Sequence, residues 1–190
     1  MPSETSGRAR LSPSDRRRQL LGIGLRMLVE KPIQELSIDA VAAEAGISRG
    51  LLFHYFPTKT AYYQEVIAAA LRRVWRNIAP DEDARGDEAV RQFAERFFAQ
   101  IERRRESYVA LVFGNGALAV GGDGVGSHRL LMARELVRGA GLPEQSTVTV
   151  HAWIAYVEDR ALQWSERTDR GALADEVTHC VAGLSALLGL

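Results

Sequence analysis

Four histidines, His54, His128, His151 and His179, could serve acid–base or metal chemistry in this 190-residue chain. None of them pairs with another at i+3 or i+4, and no HExxH occurs. His151 and Glu158 lie seven apart, a spacing that fits one helix face, but two such groups do not make a metal site. Cys180 is alone, which excludes an internal disulfide framework and a cysteine-based zinc finger and makes a reducing cytoplasm the default. The Gly-rich run Gly121 to Gly126 follows no strand and lacks the Lys-Ser/Thr of a phosphate loop. No catalytic set, metal or cofactor is expected. An enzyme or scaffold carrying a non-functional helix-turn-helix stays as the alternative reading.

The chemistry that remains is recognition. It concentrates in Ser37 to Phe56, SIDAVAAEAGISRGLLFHYF. A helix-turn-helix needs a small residue where its helices touch, a glycine at the turn and apolar residues at fixed inward positions. Ala42 and Gly46 have the required offset of four, and Val41, Ala45, Ile47, Leu52 and Tyr55 fall inward. Ser48, Arg49, Gly50, Phe53 and His54 are left outward on the second helix, a set suited to a major groove about 12 Å wide. Arg49 is the natural base reader, since its guanidinium can pair with guanine O6 and N7.

Helices must position these groups. Leu20, Ile23, Gly24, Met27 and Leu28 form an amphipathic stripe. Ser12-Pro13 with Asp15 is its start signal, and Lys31-Pro32 its stop. Ser37 caps a helix to about Glu44, Gly46 supplies the turn, and Ser48 caps a second helix that Pro57 closes. A longer helix starts near Thr58. Val90 to Ile101 stripe another that ends at Arg103-Arg104-Arg105, and Val109 to Ala117 a further one. Residues 121–126 read as a loop, and a helix follows at about 129–138. Two long helices, striped by Val150 to Trp164 and by Leu173 to Leu188, close an all-α chain of about nine helices.

The segment Ser37 to Ile67, with Phe53-His54-Tyr55-Phe56 and Thr58-Lys59, resembles the DNA-binding domain of the TetR (tetracycline-repressor-like) family of bacterial transcriptional regulators. Close resemblance covers about residues 14–67; beyond it only length, helix count and two long terminal helices are similar. The resemblance implies a phosphate contact at Ser37 and places Ser48, Arg49, Gly50 and Leu51 at the start of the recognition helix. His54 and Tyr55 match the end of that helix. Lys59 matches a lysine at the N-terminus of the fourth helix, where side chain and helix dipole both favour phosphate. Phe53 replaces the usual Tyr, removing one phenolic contact. Lys31-Pro32 replaces the common Gly-containing link.

The expected domains are a basic arm (1–12), a helix-turn-helix domain (13–57) and a helical ligand-binding and dimerisation domain (58–190). The arm's Arg8 and Arg10, with Arg16 to Arg18 beyond it, are read either as a minor-groove or phosphate contact or as a solvated tail. One helix-turn-helix covers too little DNA for a specific operator, so a homodimer on a palindromic double-stranded operator is expected, its recognition helices ~34–36 Å apart. The resemblance implies a four-helix bundle made by the terminal helices of two subunits. Trp153, Tyr156, Arg160 and Trp164 are its candidate anchors, with Val177, Val181, Leu184 and Leu188 beside them, and intramolecular core is their alternative. Trp75, Phe93, Phe97, Tyr108, Phe113, Met132 and Trp153 are candidate walls for a small, mostly apolar or aromatic effector, again with core packing as alternative. The fourth helix is the expected lever between effector and DNA, and repression the expected mode.

Charge and composition agree with this division. Lys+Arg and Asp+Glu are 24 each, a net of zero. Residues 1–60 hold nine basic and six acidic side chains (+3), and residues 61–190 hold 15 and 18 (−3). A dimer would present about +6 to one duplex, enough for several phosphate contacts. Charged residues at 25% and hydrophobic residues at 46% are ordinary globular usage. No stretch approaches the ~20 apolar residues of a membrane helix, and Met1 to Arg18 has no signal-peptide core, so a cytoplasmic protein is expected.

Overall fold

Serine, threonine and glycine punctuate the chain where helices begin and end. The computed structural model describes residues 11–30, 35–113, 124–169 and 171–189. Among the described residues there are eight α-helices and no strand. They are α1 (Pro13–Glu30), α2 (Ile38–Ala45), α3 (Arg49–Tyr55), α4 (Lys59–Ile78), α5 (Gly86–Val112), α6 (Gly124–Ala140), α7 (Thr147–Glu166) and α8 (Leu173–Leu188). A 3-10 turn, Glu144–Ser146, precedes α7. The chain forms two compact units, Met1–Val66 and Ile67–Leu190, and α4 contributes residues to each. Most of the arm (1–10), Lys31-Pro32, Gly116-Ala117 and Gly121 to Asp123 lie outside the described residues.

In the first unit every helix start carries a hydroxyl cap. Ser12 Oγ accepts from the Asp15 N–H at 3.1 Å, Ser37 Oγ from Ala40 at 3.3 Å, Ser48 Oγ from Leu51 at 3.2 Å, and Thr58 Oγ1 from Ala61 at 2.9 Å. Each satisfies a backbone donor that the helix itself cannot. Gly46, at φ 65° and ψ 39°, ends α2, and the N–H groups of Gly46 and Ile47 donate back to the carbonyls of Ala43 and Ala42. An L side chain disfavours that left-handed conformation, so glycine sets the turn into α3.

The core of this unit is Leu20, Ile23, Ile38, Val41, Ala42, Ala45, Leu52, Phe56, Tyr62 and Val66. Ile47 and Tyr55, expected inward, are half-buried, and Phe56 is buried instead. Phe56 follows the last helical residue of α3, with extended backbone, and its ring meets Tyr62 edge-on at 5.0 Å. Gly24 makes room for Tyr62: a Cβ there would lie 2.5 Å from the Tyr62 hydroxyl and 2.6 Å from Val66 Cγ2. The hydroxyl donates to the Leu20 carbonyl at 2.8 Å, and that of Tyr63 to the Leu36 carbonyl.

In the second unit, Phe93, Phe97, Phe98 and Ile101 of α5 pack with Met132 and Leu136 of α6, Trp153, Ile154 and Val157 of α7, and Val177, Cys180 and Leu184 of α8. Trp153 Nε1 donates to the Cys180 carbonyl at 2.8 Å, joining α7 to α8. Two expectations need correction. The helix expected to stop at the arginine run continues to Val112 and only kinks at Arg104 (φ −144°, ψ 33°), because Tyr108 and Val112 return to the same core. With that merger the described residues hold eight helices against the expected nine or so. Gly124 to Gly126, expected in a loop, begin α6, whose buried stripe includes His128, Met132 and Leu136.

Candidate nucleic-acid interface

α3 has one turn's worth of anchoring and otherwise faces outward. Leu52 is fully buried, while Ser48, Arg49, Gly50, Leu51 and His54 are exposed and Phe53 and Tyr55 half-buried. Ser48 thus has two duties: its oxygen caps α3, and it stands at the exposed edge beside Arg49. Ser37 holds the equivalent place at the start of α2, and Lys59 is the first residue of α4. The expected contact residues are therefore distributed over three helix N-termini and one exposed helix face, and backbone N–H groups at helix N-termini favour phosphate.

Arg49 is not idle. Its Nη1 lies 3.3 and 3.2 Å from the two carboxylate oxygens of Asp39 on α2, and its guanidinium sits 5.4 Å from the centre of the Phe53 ring. Both partners are well exposed, so the pair is weakly held and open to competition by another acceptor. Lys59 Nζ lies 5.1 Å from the centre of the Tyr63 ring.

Arg16 and Arg17, read as part of a basic stretch, also have structural partners. Arg17 pairs with Glu65 at 2.9 Å and lies over the Phe56 ring, and Arg16 donates to Gln19 and to the Ala45 carbonyl. Arg18, paired with Asp15 at 2.8 Å, is well exposed.

The candidate effector residues fall mostly in one aromatic sequence. Trp75 and Phe93 centroids are 6.3 Å apart, Phe93 and Phe97 5.8 Å, Phe93 and Trp153 5.8 Å, and Phe97 and Tyr108 5.6 Å. Met132 is buried in the same core. Phe113 is not part of it: it follows the last residue of α5 and is 49% exposed.

Sequence reasoning missed the polar groups within this core. Glu158, on α7, is buried; its Oε1 accepts from the Tyr108 hydroxyl and its Oε2 from Arg129 Nε at 2.8 Å. Burial, then the Glu158 charge, hold the Tyr108 hydroxyl protonated well above the ordinary tyrosine range. His128 is buried as well. His151, seven residues before Glu158, is half-buried, whereas Glu158 is buried and bonded to Tyr108 and Arg129. No local pattern marks Tyr108, Arg129 and Glu158 as a set, since they come from three helices.

Of the candidate dimer residues, Trp153, Trp164, Val177 and Leu184 are buried within the chain, whereas Tyr156 is exposed and Arg160, Val181 and Leu188 are half-buried. Tyr156 and His179 bring their rings within 6.2 Å across α7 and α8, and Arg160 pairs with Glu176. Burial raises the Cys180 thiol to about 11, so it is no ready nucleophile near neutral pH. Among the described residues no group of three or more His, Cys, Asp or Glu could hold a metal ion, and no helix is long and apolar enough to cross a membrane.

Comparison with known proteins matches this geometry. Residues 20–66 fit the sequence profile of bacterial regulatory proteins, tetR family. Over 93 residues the chain is 34% identical to the HTH-type transcriptional regulator EthR of Mycolicibacterium smegmatis, covering 47% of this chain. The match spans 43% of that relative's length. A tetR-family regulator from Streptomyces coelicolor has a similar structure, with TM-score 0.66, 26% identity, and 94% of this chain and 82% of that one covered. A transcriptional regulator from Pseudomonas aeruginosa PAO1, 21% identical, shares the fold with TM-score 0.63 over 98% and 97% of the two chains. Residues 20–66 thus match the tetR-family profile, and the course of the described helices is similar to that of a tetR-family regulator of known structure.

Proposed function

We propose that this DNA-binding regulator is a repressor that binds a palindromic operator as a homodimer and leaves it when a small, mostly apolar or aromatic effector binds. The observation that carries the reading is α3: a helix start with Ser48, Arg49, Gly50, Leu51 and His54 all exposed, fixed from behind by Leu52 and Phe56. Ser37, Tyr55 and Lys59 supply phosphate contacts beside it, and Phe53 supports Arg49 from its ring face. The functional divisions are an arm (1–12), a reading domain (13–57) and an effector and dimer domain (58–190).

The outer faces of α7 and α8 support dimerisation. Tyr156 at 37% and Leu187 at 63% exposure are large apolar groups left uncovered on these helices. Arg160, Val181 and Leu188 add half-buried surface. Two such helices from each subunit make a four-helix bundle. Effector binding in the second unit favours one conformer over another, and α4, which belongs to both units, is the lever.

Binding measured by fluorescence anisotropy across a salt series tests the reading, with a duplex carrying the palindrome nearest the chain's own promoter and a scrambled duplex. Tight binding to the palindrome, with a steep salt slope for both, is expected. Equal affinity for the two duplexes would refute it.

A further inference from the structure

The second unit contains a buried polar arrangement that packing does not account for. Glu158 is 1% exposed, and both its oxygens are engaged, one by Tyr108 and one by Arg129. Immediately before Arg129, His128 is 4% exposed, and neither Nδ1 nor Nε2 has a hydrogen-bond partner. His128 stands on the same stripe of α6 as Met132 and Leu136, four and eight residues on. That stripe faces the core that holds Phe93, Phe97 and Trp153. A buried polar group left unpaired costs ~1–3 kcal/mol, and a leucine would fill the place without that cost.

The chemistry of the site narrows what would pair with it. Burial, and then the Arg129 cation, depress the imidazole to about 4, so near neutrality it is uncharged, with one N–H and one bare nitrogen. Arg129 is committed to Glu158, so an anionic ligand would find no unmatched cation in this set. A hydroxyl can donate to the bare nitrogen or accept from the N–H, and so suits whichever it meets. A carboxylate can only accept, and a hydrocarbon does neither.

We propose that His128 is the polar contact of the effector site, and that the effector is an uncharged molecule with an apolar or aromatic body and a hydroxyl that hydrogen-bonds the imidazole. This rests on reading the second unit as the effector domain.

Isothermal titration of the full chain, without DNA, with 4-butylphenol, butylbenzene and 4-butylbenzoate tests it. The phenol is expected to bind roughly tenfold more tightly than the other two, the scale of one buried hydrogen bond. His128→Leu is expected to abolish that preference and, without any probe, to raise the melting temperature. His128→Phe serves the same purpose should the leucine variant not fold. Binding of no probe, equal binding of all three, preference for the benzoate, a retained phenol preference in the variant, or an unraised melting temperature would each overturn the proposal. The DNA assay is separate: loss of operator specificity with a retained phenol preference counts against the regulator reading alone, and the converse against His128 alone.

Discussion

In the proposed reading, Arg49 would reach DNA by exchanging partners. In the free chain its guanidinium rests against the Asp39 carboxylate and over Phe53. Guanine O6 and N7 would compete for the same donors. Arg49→Ala should therefore relax preference at one base pair of each half-site, worth ~1–3 kcal/mol, read by a panel of single-base operator variants. Asp39→Asn weakens the hold on Arg49 and removes a charge that repels phosphate, so it should tighten binding to all sequences. A weakened complex would show that Asp39 positions Arg49 rather than restraining it. Lys59→Ala should weaken operator and scrambled duplex alike and reduce the salt slope by about one, since a lysine on phosphate reads no base.

His128 supplies the corresponding prediction for the second unit. Its folded-state value, about 4, lies below the ordinary histidine value of 6.5. Between them the unfolded chain takes up the proton and the folded chain does not. Stability is therefore full above about pH 6.5 and declines as pH falls toward 4, by roughly 3 kcal/mol from this group. Urea titrations across that range should show this loss in the native chain and not in His128→Leu, whose difference cancels the carboxylates common to both.

At the scale of elements, close packing of α1 against α4 within the first unit depends on one missing methyl. Gly24→Ala would place Cβ 2.5 Å from the Tyr62 hydroxyl and 2.6 Å from Val66, so it should destabilise this unit by ~1–3 kcal/mol despite alanine's better helix propensity. A midpoint equal to or above the native one in urea would contradict that account. The starts and the turn that position α2, α3 and α4 were legible in the sequence, because Ser37, Gly46, Ser48 and Thr58 act within three or four residues of themselves. The bond from Tyr62 to Leu20 was not, nor was the Tyr108–Glu158 pair, because partners 42 and 50 residues apart leave no periodic trace. The continuation of α5 past Arg104 is not legible for a related reason: three arginines are a reasonable helix end locally, and only the core position of Tyr108 shows why the chain resumes its helix.

For the whole molecule, the zero net charge conceals a basic first third and an acidic remainder. If the proposed dimer holds, specific binding depends on two modestly charged N-terminal units acting together, and anything that separates the subunits should abolish it. Tyr156→Glu places a charge on the proposed dimer face at a residue 37% exposed in the single chain. It should shift sedimentation from dimer to monomer and remove operator binding at the same concentration, with the helical circular dichroism unchanged. A dimer that survives would place the interface elsewhere.

The division into two units has a spectroscopic consequence. Trp75, Trp153 and Trp164 all belong to residues 67–190, and residues 1–66 contain no tryptophan. Emission excited in tryptophan alone therefore reports the second unit and is silent about the first. Tyr55, Tyr62 and Tyr63 are the only tyrosines of the first unit. A tryptophan placed at the Phe56 position would give that unit an indole of its own, in a site already lined by Tyr62 and Arg17. With it, one denaturation series compared between two nearly identical chains would show whether the units melt together or in turn.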